Sequence, residues 1–415
     1  MLKRTLAVCV AAASMAAATA QAANVEVLHW WTSGGEAKSV AYLKEKLAEA
    51  NVGWEDFAVA GGGGESAMTV LKSRAASGNP PTAAQIKGPS IQEWGDLGFL
   101  ADIDSVAKAN NWDALLPGVV SDVMKFDGKY VAAPVNVHRV NWLWANPAVF
   151  EKAGATIPTT WDDFIVQAKK IQDAGFIALA HGGQAWQDAT VFEAVVLGVG
   201  GPEYYQKAFV ELDADALNSA TTEEVFRVFG ELRQFVDSNA AGRDWNIATS
   251  MVINGEAAMQ IMGDWAKGEF TVAGKTPGVD YACVAAPGTS GAFTFNVDSF
   301  AFFSQGDADA QVAQQEMAKQ ILGEDFQKVF NLNKGSIPAR LGMARDEFDS
   351  CAHASMDAFV ASAETGGLVP SFAHGMAVSE AVSGAIYDTA TNFFNSDQSA
   401  ADAKSQLIAS IQSAM

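Results

Sequence analysis

The chain of 415 residues has little cysteine, little histidine, little positive charge and no long apolar run after its N-terminus. Each shortage removes a class of function. The three cysteines, Cys9, Cys283 and Cys351, include no Cys-x-x-Cys pair. The five histidines, at 29, 138, 181, 353 and 374, show no ligand spacing, and no His-Glu-x-x-His or Gly-x-Ser-x-Gly motif occurs. Neither a metal site, nor a cofactor, nor a catalytic residue is therefore expected. Lysine and arginine number 27 against 48 acidic residues, a formal net charge of −21. Nucleic acid and anionic membrane surfaces both require a basic face, so neither is expected as a partner. No stretch after the N-terminus reaches the roughly 18 consecutive apolar residues of a membrane-spanning helix.

The first 22 residues read as a signal peptide rather than as part of the fold. Lys3 and Arg4 form a charged start, Thr5 to Ala18 is apolar and rich in alanine, and Ala20-Gln21-Ala22 suits a cleavage site. Lipid attachment at Cys9 is not expected, because almost no apolar region precedes it and Val8 is not small. The chain is thus expected in the periplasm, as a monomer, without membrane insertion. Loss of Lys3 and Arg4 takes the net charge from −21 to −23. Cys283 and Cys351 remain, and an even pair in an exported protein predicts one disulfide. A mature chain of this length exceeds a single compact core and predicts two domains.

What is present is a repeated pattern of strand, loop and helix. Val25 to Leu28 reads as a strand. It ends in Trp30-Trp31-Thr32, and Ser33-x-x-Glu36 has the spacing of a capping box that opens a helix through Val40, Leu43 and Leu47. A strand feeding a helix N-terminus puts a loop at the carboxyl end of a sheet, where open α/β proteins bind ligands. From Gly53-Trp54 to Ala60 a second strand is expected, then the glycines 61 to 64, then a helix from Glu65 to Ser77. A phosphate loop would need Gly-Lys-Ser/Thr where this chain has Gly64-Glu65-Ser66, so the glycines read as a turn close to a ligand. Ala83 to Ile86 is a short strand, and Lys87 follows it as Trp30 follows the first.

Asp127-Gly128 signals a hairpin. Past Pro134 the pattern is mostly helical: Trp161 to Ala174, capped by Thr160, then Trp186 to Leu197, Tyr204 to Val210 and Thr222 to Ser238. Asn254 to Trp265 reads as turn, short strand and aromatic. Phe293 to Phe303 reads as one strand carrying Asp298, and Gln311 to Phe330 as one long helix ended by Lys334-Gly335. His374 falls in a loop before a helix from Met376 to Tyr387, and the tail from Ala401 to Met415 is helical again.

With these segments in order, the chain resembles the extracytoplasmic solute-binding proteins of bacterial sugar ABC importers, in the maltose-binding-protein group and closest to its glucose/mannose-binding branch. The resemblance is carried by Glu26-Val-Leu-His-Trp-Trp-Thr32, by Gly128-Lys129-Tyr130 with Ala133-Pro134 and Pro158-Thr-Thr-Trp-Asp-Asp-Phe164, by Asn254-Gly-Glu-Ala-Ala-Met259 with Gly263-Asp264-Trp265, and by Lys334-Gly-Ser-Ile-Pro338. It implies an α/β fold of two lobes joined by three crossings, near Pro134, Phe295 and Gly335, with ligand in the cleft between them. Lobe one would be residues 24–134 plus 295–335, and lobe two residues 135–294 plus 336–415. Both disulfide cysteines would then lie in lobe two.

The same resemblance implies a ligand site of Trp30, Trp31, Glu36, Lys87, Trp265, Asp298, Lys334 and His374. A pyranose has apolar C–H faces and a rim of hydroxyls. Tryptophans would cover the faces, Glu36 and Asp298 would accept from the rim, and Lys87, Lys334 and His374 would donate or accept, with charge-assisted bonds about twice as strong as neutral ones. The expected function is a receptor that binds glucose, or else mannose or galactose, by lobe closure and delivers it to the membrane permease. Two alternatives remain at this point: an oligosaccharide or polyol receptor, and a glycosidase using Glu36 and Asp298 as paired carboxylates.

Overall fold

A computed structural model describes residues 23–415, so the leader and Cys9 lie outside the described residues. Two helix-flanked sheets are joined by a third, small one. The first sheet has strand order Val52–Ala58, Ala23–His29, Ala83–Ile86, Ser299–Phe302, Ala132–Pro134, with the first three parallel and the last two antiparallel to their neighbours. The strand Ala83–Ile86 is buried along its whole length, as a central strand covered on both faces must be. The second sheet runs Ala282–Ala285, Trp142–Ala145, Ala257–Ile261, Ile177–Leu179. Two large cores follow, one drawn chiefly from residues 25–137 and 293–339, the other from 143–292 and 369–411, with a third, smaller, tryptophan-rich cluster drawn from 140–281 and Cys351.

Between them, Leu368–Pro370, Phe293–Asn296 and His138–Arg139 form the small linking sheet. The chain passes between the cores through it after Pro134 and again before Ser299, and a third pass after Lys334 is tied to the first by a bridge between Val137 and Ile337.

Two segments expected as single elements are broken, for reasons of tertiary structure. The run from Phe293 to Phe303 is two strands: Phe293–Asn296 belongs to the linking sheet and Ser299–Phe302 to the first sheet, and Asp298 sits in the break. The sequence pattern concealed this because both halves are fully buried strands with no turn residue such as Gly or Pro between them. The long helix after Gln311 is Ala308–Ile321 followed by Glu324–Lys334, interrupted at Gly323, a weak helix former. At Ala185–Phe209 the two expected helices are present, separated by a kink where Gly201 leaves helical geometry (φ 74°, ψ 175°) before Pro202. The hairpin turn at Asp127-Gly128 has positive φ at both residues, the geometry of a type I′ turn.

Cys283 and Cys351 are bonded, 68 residues apart. Both cysteines pack with Trp142, Trp144, Phe270 and Tyr281. The helix carrying Cys351, Ser350–Thr365, also packs Met356, Ala358 and Phe359 against the first core. Reduction is expected to lower stability by about 2–4 kcal/mol, mainly by freeing the unfolded chain. Urea melts with and without reductant measure this; coincident curves would remove the effect.

Candidate functional site

The site stands where strand ends from both lobes meet. Trp30 follows the strand Ala23–His29, Lys87 follows Ala83–Ile86, Trp265 comes shortly after Ala257–Ile261, and His374 comes shortly after Leu368–Pro370. Glycines 62 to 64 bring the first lobe against the second. A Cβ on Gly62 would meet Trp186 at 2.8 Å and Trp245 at 2.9 Å, and one on Gly63 would meet Trp186 at 2.9 Å. Only bare backbone fits there, which gives the glycine run a steric reason. At the rim, Lys72 of the first lobe pairs with Glu380 of the second, and Ser90 Oγ donates to the same carboxylate at 3.3 Å. Behind this contact lies a cavity of about 270 Å³, lined in part by Trp30, Gly64, Lys87, His374 and Tyr387.

His138, Asp264 and Asp298 form a buried charged chain across the linking sheet. His138 Nδ1 donates to Asp264 Oδ1, and Nε2 donates to Asp298 Oδ2 at 2.9 Å. Burial alone would strip the imidazole of its proton, but the two carboxylates outweigh it and raise its pKa above the ordinary 6.5. Asp298 is likewise desolvated, yet His138 first, then Lys87 and Lys334, hold its carboxyl well below the usual range. Gln85 Nε2 donates to Asp298 Oδ1 at 3.3 Å, and its Oε1 accepts from Trp30 N–H at 3.4 Å. From sequence His138 reads as no more than structural, because its partners lie 126 and 160 residues away.

The structure brings Trp30, Lys87, Trp265, Asp298 and His374 together, and it places the other three expected residues differently. Trp31 is turned into the first core, its ring 5.4 Å from Phe300 and 5.2 Å from Phe330. Adjacent residues leaving a strand face opposite ways, so one tryptophan of the pair had to point inward. Lys334 was expected to be free for ligand; its Nζ instead donates to Glu36 Oε1 at 2.7 Å and lies 5.7 Å over the Trp31 ring. Glu36 Oε2 accepts from the Thr32 and Ser33 N–H groups at 3.2 Å. This is the carboxylate half of the capping box, so both Glu36 oxygens already have protein partners.

Lys87 makes no ion pair or hydrogen bond among the described residues. Its ammonium lies 5.2 Å from the centre of the Trp30 ring, and burial pulls its pKa down, offset in part by Asp298. His374 is held neutral, its pKa well below 6.5, by burial and then by Lys87 and His138. Its ring lies edge to face with Trp265, centroids 4.8 Å apart. The Thr190 hydroxyl gives its proton to the Trp186 carbonyl at 2.8 Å and so accepts from His374 Nε2–H at 3.1 Å. That fixes the tautomer and leaves Nδ1 as an acceptor. Trp186 and Trp245 were not expected here; Trp186 opens a helix with no ligand signal, the helix Trp245–Ile253 was not foreseen at all, and only the contact with the glycine loop reveals them.

The cavity therefore offers one uncommitted cation, Lys87, one neutral imidazole acceptor, His374, and the indole of Trp30, with Trp265 packed against His374 and the ionised Asp298 acting on Lys87 through its charge. Comparison with known proteins agrees with that chemistry. Residues 33–322 match the family described as bacterial extracellular solute-binding protein. A "probable sugar-binding periplasmic protein" of Brucella suis is 47% identical over 94% of this chain and 92% of its own length. Another of that description, from Rhizobium meliloti, is 46% identical over 98% of each chain. Among solved structures, a chitin oligosaccharide binding protein superposes with TM-score 0.81 at 16% identity, covering 94% of this chain and 98% of its own. The bacterial solute receptor AcbH does so with TM-score 0.79 at 17% identity, covering 95% and 99%. These relatives and neighbours are binding proteins and not enzymes, and the chain belongs to the bacterial extracellular solute-binding protein family.

Proposed function

We propose that this protein is a periplasmic receptor for a single hexose, with glucose the leading candidate, which it delivers to the permease of an ABC importer when its lobes close. This reading takes residues 24–134 plus 295–335 as one lobe and 135–294 plus 336–415 as the other. The observation that carries the hexose reading is the size of the cavity. About 270 Å³ falls just below the ~300–1,000 Å³ of ordinary small-molecule pockets, enough for one pyranose and too little for a chain of them. The fold does not decide chain length, because its structural neighbours include a chitin oligosaccharide binding protein and a receptor with a preference for β-D-galactopyranose.

In this reading Trp30 and Trp265 cover the faces of the ring. Lys87 donates to a hydroxyl, His374 Nδ1 accepts from one, and Asp298 accepts from others with its unused lone pairs. Glu36, Lys334 and Trp31 act one layer back, by fixing the loop that carries Trp30.

A thermal-shift panel of glucose, mannose, galactose, maltose and a polyol tests the proposal. A sugar at 100 times its dissociation constant adds about 2.7 kcal/mol to stability. The expected result is a clear shift with glucose and none with maltose. A shift with the disaccharide alone would overturn the single-hexose reading.

A further inference from the structure

On the helix Ala185–Phe209, Trp186, Thr190 and Glu193 share one face, at spacings of four and three. Trp186 and Thr190 touch His374 directly, with ring centroids 6.0 Å apart and an Nε2–Oγ1 distance of 3.1 Å. Glu193, one turn further on, does not reach the cleft. Its carboxylate holds the segment on which His374 stands: it accepts from Ser371 Oγ at 2.8 Å, from Tyr205 OH at 2.7 Å and from Ala373 N–H at 3.0 Å. Tyr205 OH in turn accepts from Phe372 N–H at 3.1 Å, so two successive backbone amides are fixed by this one group and its partner.

Glu193 is 1% exposed, and no cation is bonded to it among the described residues. The titratable groups facing it are the Tyr205 phenol, beyond the kink at Gly201, and the Tyr387 phenol on the helix Glu380–Phe394, whose hydroxyl donates to Ala373 O at 2.9 Å. Burial pushes the Glu193 carboxyl up to about 7, although Ala373 N–H, Tyr205 and Ser371 all favour its ionised form. With the folded value raised above the ordinary 4.5, the folded protein holds this proton more tightly than the unfolded chain. Its contribution to stability therefore falls as pH rises from about 4.5 to about 7. An ionised Glu193 is a net cost to the fold, and a glutamine of the same shape would avoid it. Such a cost suits a functional role. The chemistry of the ring explains what glutamine would lose: the ionised carboxylate accepts from Ser371, Tyr205 and Ala373 at once, whereas a neutral group must aim a donor at one of the two hydroxyls, which then gives its own proton elsewhere, Tyr205 to Pro370 O at 2.8 Å.

We infer that Glu193 is the positioning residue of the sugar site: ionised, it anchors Ser371 and Ala373 and so fixes His374 in the cleft, and once neutral it releases that segment and weakens sugar binding. This rests on the hexose reading above, and Glu193 itself touches no ligand.

The test compares the parent with Glu193→Gln. In the sugar-free protein, hydrogen exchange of the Ala373 amide at about pH 8 is expected to speed up about 10-fold or more in the variant, while its melting temperature stays equal or rises. In calorimetric titration with D-glucose the variant is expected to bind about 10-fold more weakly at pH 8, the loss appropriate to a charge-assisted bond. The parent should lose affinity between about pH 8 and pH 6, and the variant should not. In a His374→Ala background the Glu193 substitution should add nothing. Unchanged affinity, or a lower melting temperature with normal affinity, overturns the inference. If the parent binds neither glucose nor another hexose, the proposed function fails, while the Ala373 exchange rate still decides the role of Glu193. If Glu193→Gln does not fold, Ser371→Ala removes one of the three donors and is expected to act in the same direction, and an unchanged affinity there overturns the inference equally.

Discussion

Replacing His138 with alanine is expected to cost the sugar-free protein about 3–5 kcal/mol, the usual price of breaking a buried ion pair from one side. The imidazole is 1% exposed and lies between two carboxylates that are themselves almost wholly buried. Its removal leaves Asp264 and Asp298 without their cation at the passage between the lobes. The pH dependence follows from the two shifts. His138 has a raised pKa, so its contribution is complete below 6.5 and is lost as pH rises through the folded value. Asp298 has a depressed one, so its contribution is present above 3.8 and is lost as pH falls through the folded value. The gap in stability between parent and variant should therefore be widest from about pH 4 to 6.5 and should narrow in alkali. Urea unfolding at three pH values measures it. A gap that stays constant into alkali would mean that the imidazole is not carrying charge.

Replacing Trp265 with alanine is expected to weaken glucose binding by 100-fold or more, about 3 kcal/mol, because a buried tryptophan at the centre of a site is typically a dominant contact. The indole lies 4.8 Å from His374, 5.2 Å from His138 and 6.4 Å from Trp186, ring centroid to ring centroid. It thus joins the group that would accept from the sugar to the one that orients Asp298. The fluorescence change on glucose addition should shrink with it. Trp265→Phe, which keeps an aromatic face, should recover much of the affinity. If Trp265→Ala binds glucose as tightly as the parent, the indole is packing alone and the face of the ring must be covered elsewhere.

Much of the architecture was legible in the sequence, because it is local. Strands, caps and turns announce themselves within a few residues: the strand Ala83–Ile86 and the turn at Asp127-Gly128 are where their own side chains put them. Residues just past strand ends, Trp30 and Lys87 among them, could be singled out because the end of a strand is itself a local signal. The steric demand at Gly62 and Gly63 was visible only as a run of glycines, and its cause, two tryptophans of the other lobe, was not.

What the sequence could not decide was which way a side chain faces and whom it meets. Trp30 and Trp31 are identical in kind and adjacent, yet one lines the cavity and the other fills the core, since the register of the sheet sends them to opposite sides. Glu36 and Lys334 read as two ligand groups, and across 298 residues of chain they meet and bind each other. His138 and Asp264 read as no ligand group and Asp298 as a lone sugar acceptor, and the three become one charged group only at the linking sheet. Periodicity and capping act over one or two turns of backbone, and so they set the elements. Partnership between buried charges acts over a few ångströms of space, and only the packed structure supplies that neighbourhood.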